Sequence, residues 1–297
     1  RVKLGQKHTA RERLAAVRQR YANDLVPHML DAMLDIDAGD GARAERKLRE
    51  IVQRCPDYPG VAGTLASVLF PGPNYREVLQ HLHQQLKPRS YLEIGVETGA
   101  TLSLAKASII VGVDPDLSPL RRERVAAHAQ LFEMTSQTFF ESVDRRALFG
   151  NTPLDFIFID GLHRHAAALH DFLAVERWVH RDTVVVMHDA LPIAPVYAEP
   201  ERRTRFWVGD VWKAIYVLLK QRQDLRIRIV PTVPSGLVVV RWNDIARVAR
   251  APQEVVELAD QSFPSLDDPL TGAVSVWPRE FPLVSNDARG YAEALGR

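Results

Sequence analysis

Between residues 90 and 242 short apolar runs alternate with stretches of helical periodicity, and no other feature narrows the fold as far. Tyr91-Leu92-Glu93-Ile94-Gly95-Val96 is the first run, Ile109 to Asp114 the second and Gln130 to Met134 the third. Leu154 to Asp160 and Thr183 to Met187 are almost continuously apolar, as strands covered on both faces are. Leu225 to Val230 and Gly236 to Trp242 complete a set of seven. Helical stretches are expected near 100–107, 118–128, 163–179 and 210–222. Alternation of this kind implies an open α/β sheet whose ligands sit beyond the carboxyl ends of its strands.

Ahead of the sheet, residues 1–89 read as a helical subdomain. Leu14, Val17, Tyr21, Leu25 and His28-Met29 recur at three- and four-residue spacing, and Leu30, Met33, Leu34 and Ile36 continue the stripe. Asp37-Ala38-Gly39-Asp40-Gly41 marks a turn. Ala42, Ala44, Leu48, Ile51 and Val52 then give a second helix, closed by Pro56 and Pro59. The pair resembles one tetratricopeptide-type hairpin; with no second copy at that period, a helical cap on the next domain is the simpler reading. A third helix spans Tyr75 to Leu86. The core extends over 90–249, and 250–297, rich in Pro, Asp and Ser, reads as an irregular arm.

The formal net charge of +1 gives no support to a nucleic-acid partner, and no apolar stretch approaches the ~20 residues of a membrane span. The single cysteine, Cys55, reads as a structural thiol and favours a reducing compartment. The basic first twenty residues lack the apolar segment of a signal peptide, so a cytoplasmic protein is expected. The chain does not begin with Met, which leaves a removed leader open.

The loop after the first strand reads Glu93-Ile94-Gly95-Val96-Glu97-Thr98-Gly99-Ala100-Thr101. Glycines there let the backbone approach a ligand, and the start of a helix offers free N–H groups. The spacing is not the G-x-G-x-x-G of dinucleotide sites. Acids at Glu93 and Glu97 would repel a pyrophosphate but suit the amino group and sulfonium of S-adenosylmethionine. Asp114, nineteen residues after Gly95, ends the second strand, where a carboxylate can accept hydrogen bonds from a ribose diol.

Glu93 to Asp114 resembles the first two motifs of class I S-adenosylmethionine-dependent methyltransferases. The form E-I-G-V-x-x-G-x-T is similar to a branch with macrolide sugar O-methyltransferases and proteins named cephalosporin hydroxylases. The resemblance implies a Rossmann-like seven-stranded sheet, cofactor contacts from Glu93, Gly95, Gly99 and Thr101, and Asp114 on the ribose, with Glu97 a cofactor candidate through its charge. After the third strand, Ser136 and Gln137 stand where that family often places an adenine-side acid or amide.

Two further clusters end the fourth and fifth strands: Phe158-Ile159-Asp160-Gly161-Leu162-His163 and Val186-Met187-His188-Asp189. Neighbouring parallel strands would converge Asp160, His188 and Asp189 on one point, a donor set for a divalent ion. The alternative is that Asp160 and Asp189 only cap the next helix and turn. The resemblance implies Asp160 and Asp189 as ligands of a divalent metal, Mg²⁺ first. His188 stands where that branch often has an acid, and His163 matches its proposed general base.

Residues 190–209 form a long insertion of the kind that makes lids. Trp207, Asp210 and Lys213 beside it are candidates for contacting the acceptor, with packing of Trp212 and N-capping by Asp210 as the alternative. The function expected is transfer of a methyl group to a hydroxyl of a small, sugar-bearing or other specialised metabolite, with a homo-oligomer left open. A metal-independent N- or O-methyltransferase, a binding scaffold, and a metal-dependent oxygenase or hydrolase are the competing readings.

Overall fold

The protein is described here from a computed structural model covering residues 4–21, 23–243, 263, 266 and 277–297. Strands β1 (Ser90–Ile94), β2 (Ile109–Asp114), β3 (Gln130–Glu133), β4 (Phe156–Ile159) and β5 (Val184–His188) pair in parallel. Strands β6 (Leu225–Val230) and β7 (Leu237–Trp242) close the sheet in the order β3-β2-β1-β4-β5-β7-β6, with β7 antiparallel to both neighbours. The strand order reverses between β1 and β4, and such a switch point opens a crevice at the carboxyl ends of the strands. All seven expected strands are present.

Alternate residues of each strand feed two cores, as the period of two requires. Leu92, Val111, Ile157, Val185 and Val240 face one core; Tyr91, Ile110, Phe156, Val184 and Val239 face the other. Helices α2 (Val26–Asp37), α3 (Gly41–Arg54) and α4 (Val61–Leu69) add Ala32, Leu48, Ile51, Val61 and Leu65 to the first. The helical preface therefore shares a core with the sheet. Helix α5 (Tyr75–Leu86), capped at Asn74 by a reciprocal bond with Glu77, covers the second face through Val78, Leu79 and Leu82.

The apolar stripe from Leu14 to Ile36 is not one helix. Helix α1 (Leu4–Arg20) stops, and α2 restarts where Asp24 accepts from the Val26 N–H at 2.9 Å, with Pro27 in its first turn. Helix α4 was not anticipated, although Val61, Leu65 and Ala66 carry helical spacing. Lys47 of α3 sits between Asp31 and Asp35 of α2, and Arg18 of α1 reaches Asp31 at 2.6 Å.

Two expected helices are absent. The 100–107 stretch holds only a 3-10 turn, Leu102–Leu104, and 118–128 only another, Arg122–Arg124. Positive φ at Gly95, Glu97 and Gly99 keeps the first loop non-helical until residue 100. In the second, the Arg122 guanidinium takes the carbonyls of Ala126, Ala127 and Ala129, which holds the chain in turns. Helices α6 (Ser136–Ser142), α7 (Arg145–Phe149), α8 (His165–Glu176) and α9 (Val211–Gln221) supply the remaining connections.

The expected irregular arm is corrected at its end. Leu283 bridges to Ile229 on the edge strand β6, and α10 (Ala288–Ala294) buries Tyr291 and Ala294 against the second core. Most of 250–276 lies outside the described residues. Among the described residues, no helix is long and apolar enough to cross a membrane.

Two buried polar features test this architecture. Arg222, at the end of α9, donates to Glu176 of α8 at 2.7 and 2.8 Å and to Asp224 at 2.6 and 2.8 Å, all three nearly inaccessible. Arg222→Met should strand two buried carboxylates and cost about 3–5 kcal/mol in a denaturant titration. His83 packs edge-on against Tyr91 and Phe156, and neither ring nitrogen has a hydrogen-bond partner. Burial, helped by the charge of Lys106, pulls its pKa down to about 4 from 6.5. The unfolded chain then binds the proton more readily, so stability is lost as pH falls below 6.5 towards 4. His83→Leu should remove about 2–3 kcal/mol of the difference in unfolding free energy between pH 7.5 and pH 4.5. An unchanged pH dependence would contradict this.

Candidate active site

The carboxyl ends of β1, β4 and β5 carry the candidate site. Gly95 leaves β1 at φ +86°, and a Cβ there would lie 1.8 Å from the backbone oxygen of Asp160. The closeness of the two strand ends is enough to require a glycine here. Gly99, at φ +74°, plays a similar part: a Cβ would fall 2.7 Å from Leu120 and 2.8 Å from Val125.

The expected cofactor residues divide. Glu93 is fully buried, accepting from the Tyr91 hydroxyl at 2.6 Å and the Thr101 hydroxyl at 2.7 Å. Burial pushes its pKa up to about 8, against those two hydrogen bonds. Glu93 and Thr101 are thus bonded to each other inside the core. Glu97 is exposed at the tip of the loop at φ +46°. Asp114 accepts from the N–H groups of Val96 and Glu97, each at 2.8 Å, and of Asp116 at 2.9 Å. Its carboxylate shapes the loop and keeps one oxygen with spare acceptor capacity. Ser136 and Gln137 begin α6 at the same edge of the sheet; the Gln137 amide donates to Glu141 at 2.9 Å.

Asp160, His163 and Asp189 offer ligand atoms that all lie within 4.8 Å of one another. His163 Nε2 is 3.4 Å from Asp160 Oδ1 and its Nδ1 is 3.1 Å from Asp189 Oδ2. His188, expected as a ligand, approaches the same carboxylates through Nδ1 at 3.3 and 3.2 Å. It lies deeper, against the Tyr75 ring at 4.5 Å, so Asp160 and Asp189 are approached by one histidine from the cleft side and one from the core side. Both nitrogens of His188 and Oδ2 of Asp189 are buried without a hydrogen-bond partner; the approaches are close enough to attract and too misaligned to bond. Orphaned donors and acceptors around two carboxylates fit a cation.

Electrostatics agree with that geometry. Burial alone would raise Asp160 and lower both histidines. The charge of His188 and the hydrogen bond from His163 instead hold Asp160 well below the usual carboxylate range. The charge of Asp189, then Asp160, lifts His163 to about 9, and the same two carboxylates hold His188 well above its ordinary value.

Asp189 adopts φ +59°, a strained value for a residue with a side chain, and Ser235 of the β6–β7 turn donates to its Oδ1. Sequence reasoning missed Ser235, Tyr75 and Asp171, a buried carboxylate of α8 that lines the small cleft with Asp160, His163, His188 and Asp189. Ser235 and Tyr75 lie far from the strand-end motifs in sequence, whereas Asp171 follows His163 by eight residues on α8.

The 190–209 segment forms a roof over one residue of this cleft, His163. Trp207 stacks on His163, ring centres 5.2 Å apart at 27°, and its carbonyl lies 3.3 Å from Nδ1. Asp210, a candidate for substrate, is instead fully buried. It accepts from the backbone N–H of His165 at 2.7 Å and lies 2.8 Å from that ring, so it caps α8 rather than its own helix. Burial would raise its pKa; the bonds from His165 and Lys213 prevail and hold it at about 2. Lys213 closes on Asp210 at 3.0 Å, leaving Trp207 as the one member of the trio facing the cleft residues.

Residues 92–190 match the family model described as a methyltransferase domain, and that span contains both the Gly95–Asp114 loop and the Asp160–Asp189 cluster. That stretch of the chain is thus similar to a methyltransferase domain. Its sheet has the Rossmann-like strand order of the class I, S-adenosylmethionine-dependent fold. No curated protein matches the chain. Among solved structures, it is similar to an O-methyltransferase from Streptomyces achromogenes involved in tomaymycin synthesis, in complex with SAM. That match has 17% identity over 62% of this chain and 89% of that one, with a TM-score of 0.46. It is also similar to an O-methyltransferase from Bacillus cereus in complex with SAH, at 14% identity over 77% and 97% with a TM-score of 0.46. A putative caffeoyl-CoA O-methyltransferase from Staphylococcus aureus gives 16% over 67% and 99%, with a TM-score of 0.44. At such scores the assignment of the methyltransferase domain rests on the family match and the strand order.

Gly209 shows how closely the roof is seated. At φ +61°, its missing Cβ would lie 1.6 Å from the carbonyl oxygen of His163. Gly209→Ala should therefore undock the roof at a cost of at least about 2 kcal/mol. Quicker proteolysis within 190–209 and altered Trp207 fluorescence would report it; an unchanged digest would contradict the seating.

Proposed function

We propose that the protein is an S-adenosylmethionine-dependent O-methyltransferase that acts on a hydroxyl of a small molecule and uses a divalent cation. The observation that carries this reading is a juxtaposition. One methyltransferase domain brings the Gly95–Thr101 loop and the Asp160, His163 and Asp189 cluster to a single sheet edge.

Methyl transfer is a displacement at carbon. The bond from sulfur to the methyl carbon breaks as the bond from the acceptor oxygen forms, and the sulfonium leaves as a neutral thioether. The cofactor supplies the activated methyl, so the protein must position the reactants in line and receive the hydroxyl proton. Asp114 and the loop backbone would hold the nucleoside end. Asp160 and Asp189 would hold the cation, Mg²⁺ in the first instance, which when bound lowers the pKa of a hydroxyl beside it. His163, more exposed than His188 and oriented by Trp207, would be the proton acceptor once a cation held by Asp160 and Asp189 offsets the negative charge that otherwise raises its pKa. Trp207 offers the acceptor an aromatic wall. A sugar-bearing or other specialised metabolite remains the acceptor class proposed, and a cytoplasmic setting the location.

The metal-independent reading draws on one observation. His163 between two carboxylates already balances part of their charge. Calorimetry separates the two. Asp160→Asn and Asp189→Asn should abolish Mn²⁺ binding while leaving S-adenosylmethionine binding within threefold, and Asp114→Ala should weaken the cofactor at least tenfold. Cofactor binding with no Mn²⁺ binding by the unaltered protein would favour the metal-independent enzyme. Failure to bind S-adenosylmethionine would sink both.

His163→Ala should keep cofactor and Mn²⁺ binding and lose about 10²–10⁴-fold in turnover against polyhydroxylated acceptors. Loss of Mn²⁺ binding in that variant would make His163 a ligand rather than the base.

A further inference from the structure

We infer that the outer face of α1 and α2 is a two-fold interface between two copies of this chain. Of the eight large hydrophobic side chains exposed among the described residues, six lie here: Val17, Tyr21, Val26, Leu30, Met33 and Ile36. The inward face of α2 already packs through Ala32, so Val26, Leu30, Met33 and Ile36 form a second apolar face that nothing in the chain's described residues covers.

The arrangement of that face selects a second copy as its occupant. Steps of four, three and three residues separate Val26, Leu30, Met33 and Ile36, nearly the same read in either direction. Laid antiparallel on its own copy, α2 places Val26 against Ile36 and Leu30 against Met33, on both sides of the axis. The ends are complementary as well. Tyr21, 52% exposed, projects from the turn before α2. Beyond the other end, about 18 Å away along the helix, lies a groove of about 450 Å³ lined by Ile36, Gly39, Gly41, Gly63, Ser67 and Val68. A Cβ added at Gly39 or Gly63 would meet nothing within 4 Å, so the groove is open. The two-fold that pairs the stripes brings the tyrosine of each copy over the groove of the other, which is the self-complementarity an isologous contact needs. Each of the six residues is between 39% and 52% exposed, and a two-fold contact would draw on all of them, with a polar rim, towards the roughly 800 Å² per partner of a stable interface.

The test is sedimentation equilibrium of the full chain across a concentration series. The unaltered protein should sediment at twice its 33.5 kDa mass. Leu30→Glu with Met33→Glu should weaken association at least 100-fold, and Leu283→Glu, which removes an exposed leucine elsewhere, should leave it unchanged. Gly63→Leu keeps the test independent of folding failure: it fills the groove, favours the helix and meets no neighbour. It should weaken association at least tenfold while the melting temperature holds or rises. In a Cys55→Ser background, Leu30→Cys with Met33→Cys should cross-link two chains on oxidation. A monomeric unaltered protein, or dimers indifferent to both the Glu pair and Gly63→Leu, would overturn the proposal.

Discussion

The structure turns on one contact between main chains: the backbone oxygen of Asp160 occupies the space a side chain on residue 95 would need. The Asp160 N–H donates to the Ile94 carbonyl at 2.8 Å, and the Gly95 N–H to the Val113 carbonyl at 2.9 Å. Three strand ends are stitched together there. The loop that would receive a nucleoside starts from Gly95, and the acidic cluster starts from Asp160. Any residue but glycine at 95 would drive the two apart, so a single missing Cβ sets the spacing between the glycine loop and the acidic cluster.

Around that contact, polar groups hold the 190–209 segment in place. Arg49 donates to the Ile193 carbonyl, the Tyr197 hydroxyl to the Pro56 carbonyl and the Arg205 N–H to Asp57, so the helical preface braces the roof from outside. Asp210 braces it from inside by tying α8 to α9, and Gly209 seats it on His163. Through Trp207 this scaffold reaches the one histidine that both faces the carboxylates and remains partly exposed. Strength is concentrated where position matters: charge-assisted bonds to buried carboxylates are short and costly to break.

Much of this was legible in the sequence, for definite reasons. Strands buried on both faces write themselves as apolar runs, so all seven were located, and the strand-end motifs fell at the correct edge. Asp160, His163, His188 and Asp189 were read as one locality because β4 and β5 are parallel neighbours. The loops after β1 and β2 misled. Leu102, Leu104 and Ala105 have helical spacing, but positive φ at three residues just before them leaves too little chain for an α-helix. Glu93 and Asp210 looked like ligand-facing acids because sequence carries charge and not direction; both turned inward to partners eight and forty-five residues away. Ser235 and Tyr75 reach the cluster only through the antiparallel β7 and the docking of α5, contacts that leave no local pattern.

The central claim is that cofactor and cation sit side by side on one sheet edge. It is tested most directly by NMR of S-adenosylmethionine carrying a ¹³C label on its transferable methyl, bound to the protein with Mg²⁺ and then with paramagnetic Mn²⁺. The account predicts that Mn²⁺ broadens the bound methyl resonance severely and that Asp160→Asn with Asp189→Asn restores it. A bound methyl signal that stays sharp in the presence of protein-bound Mn²⁺ would contradict it.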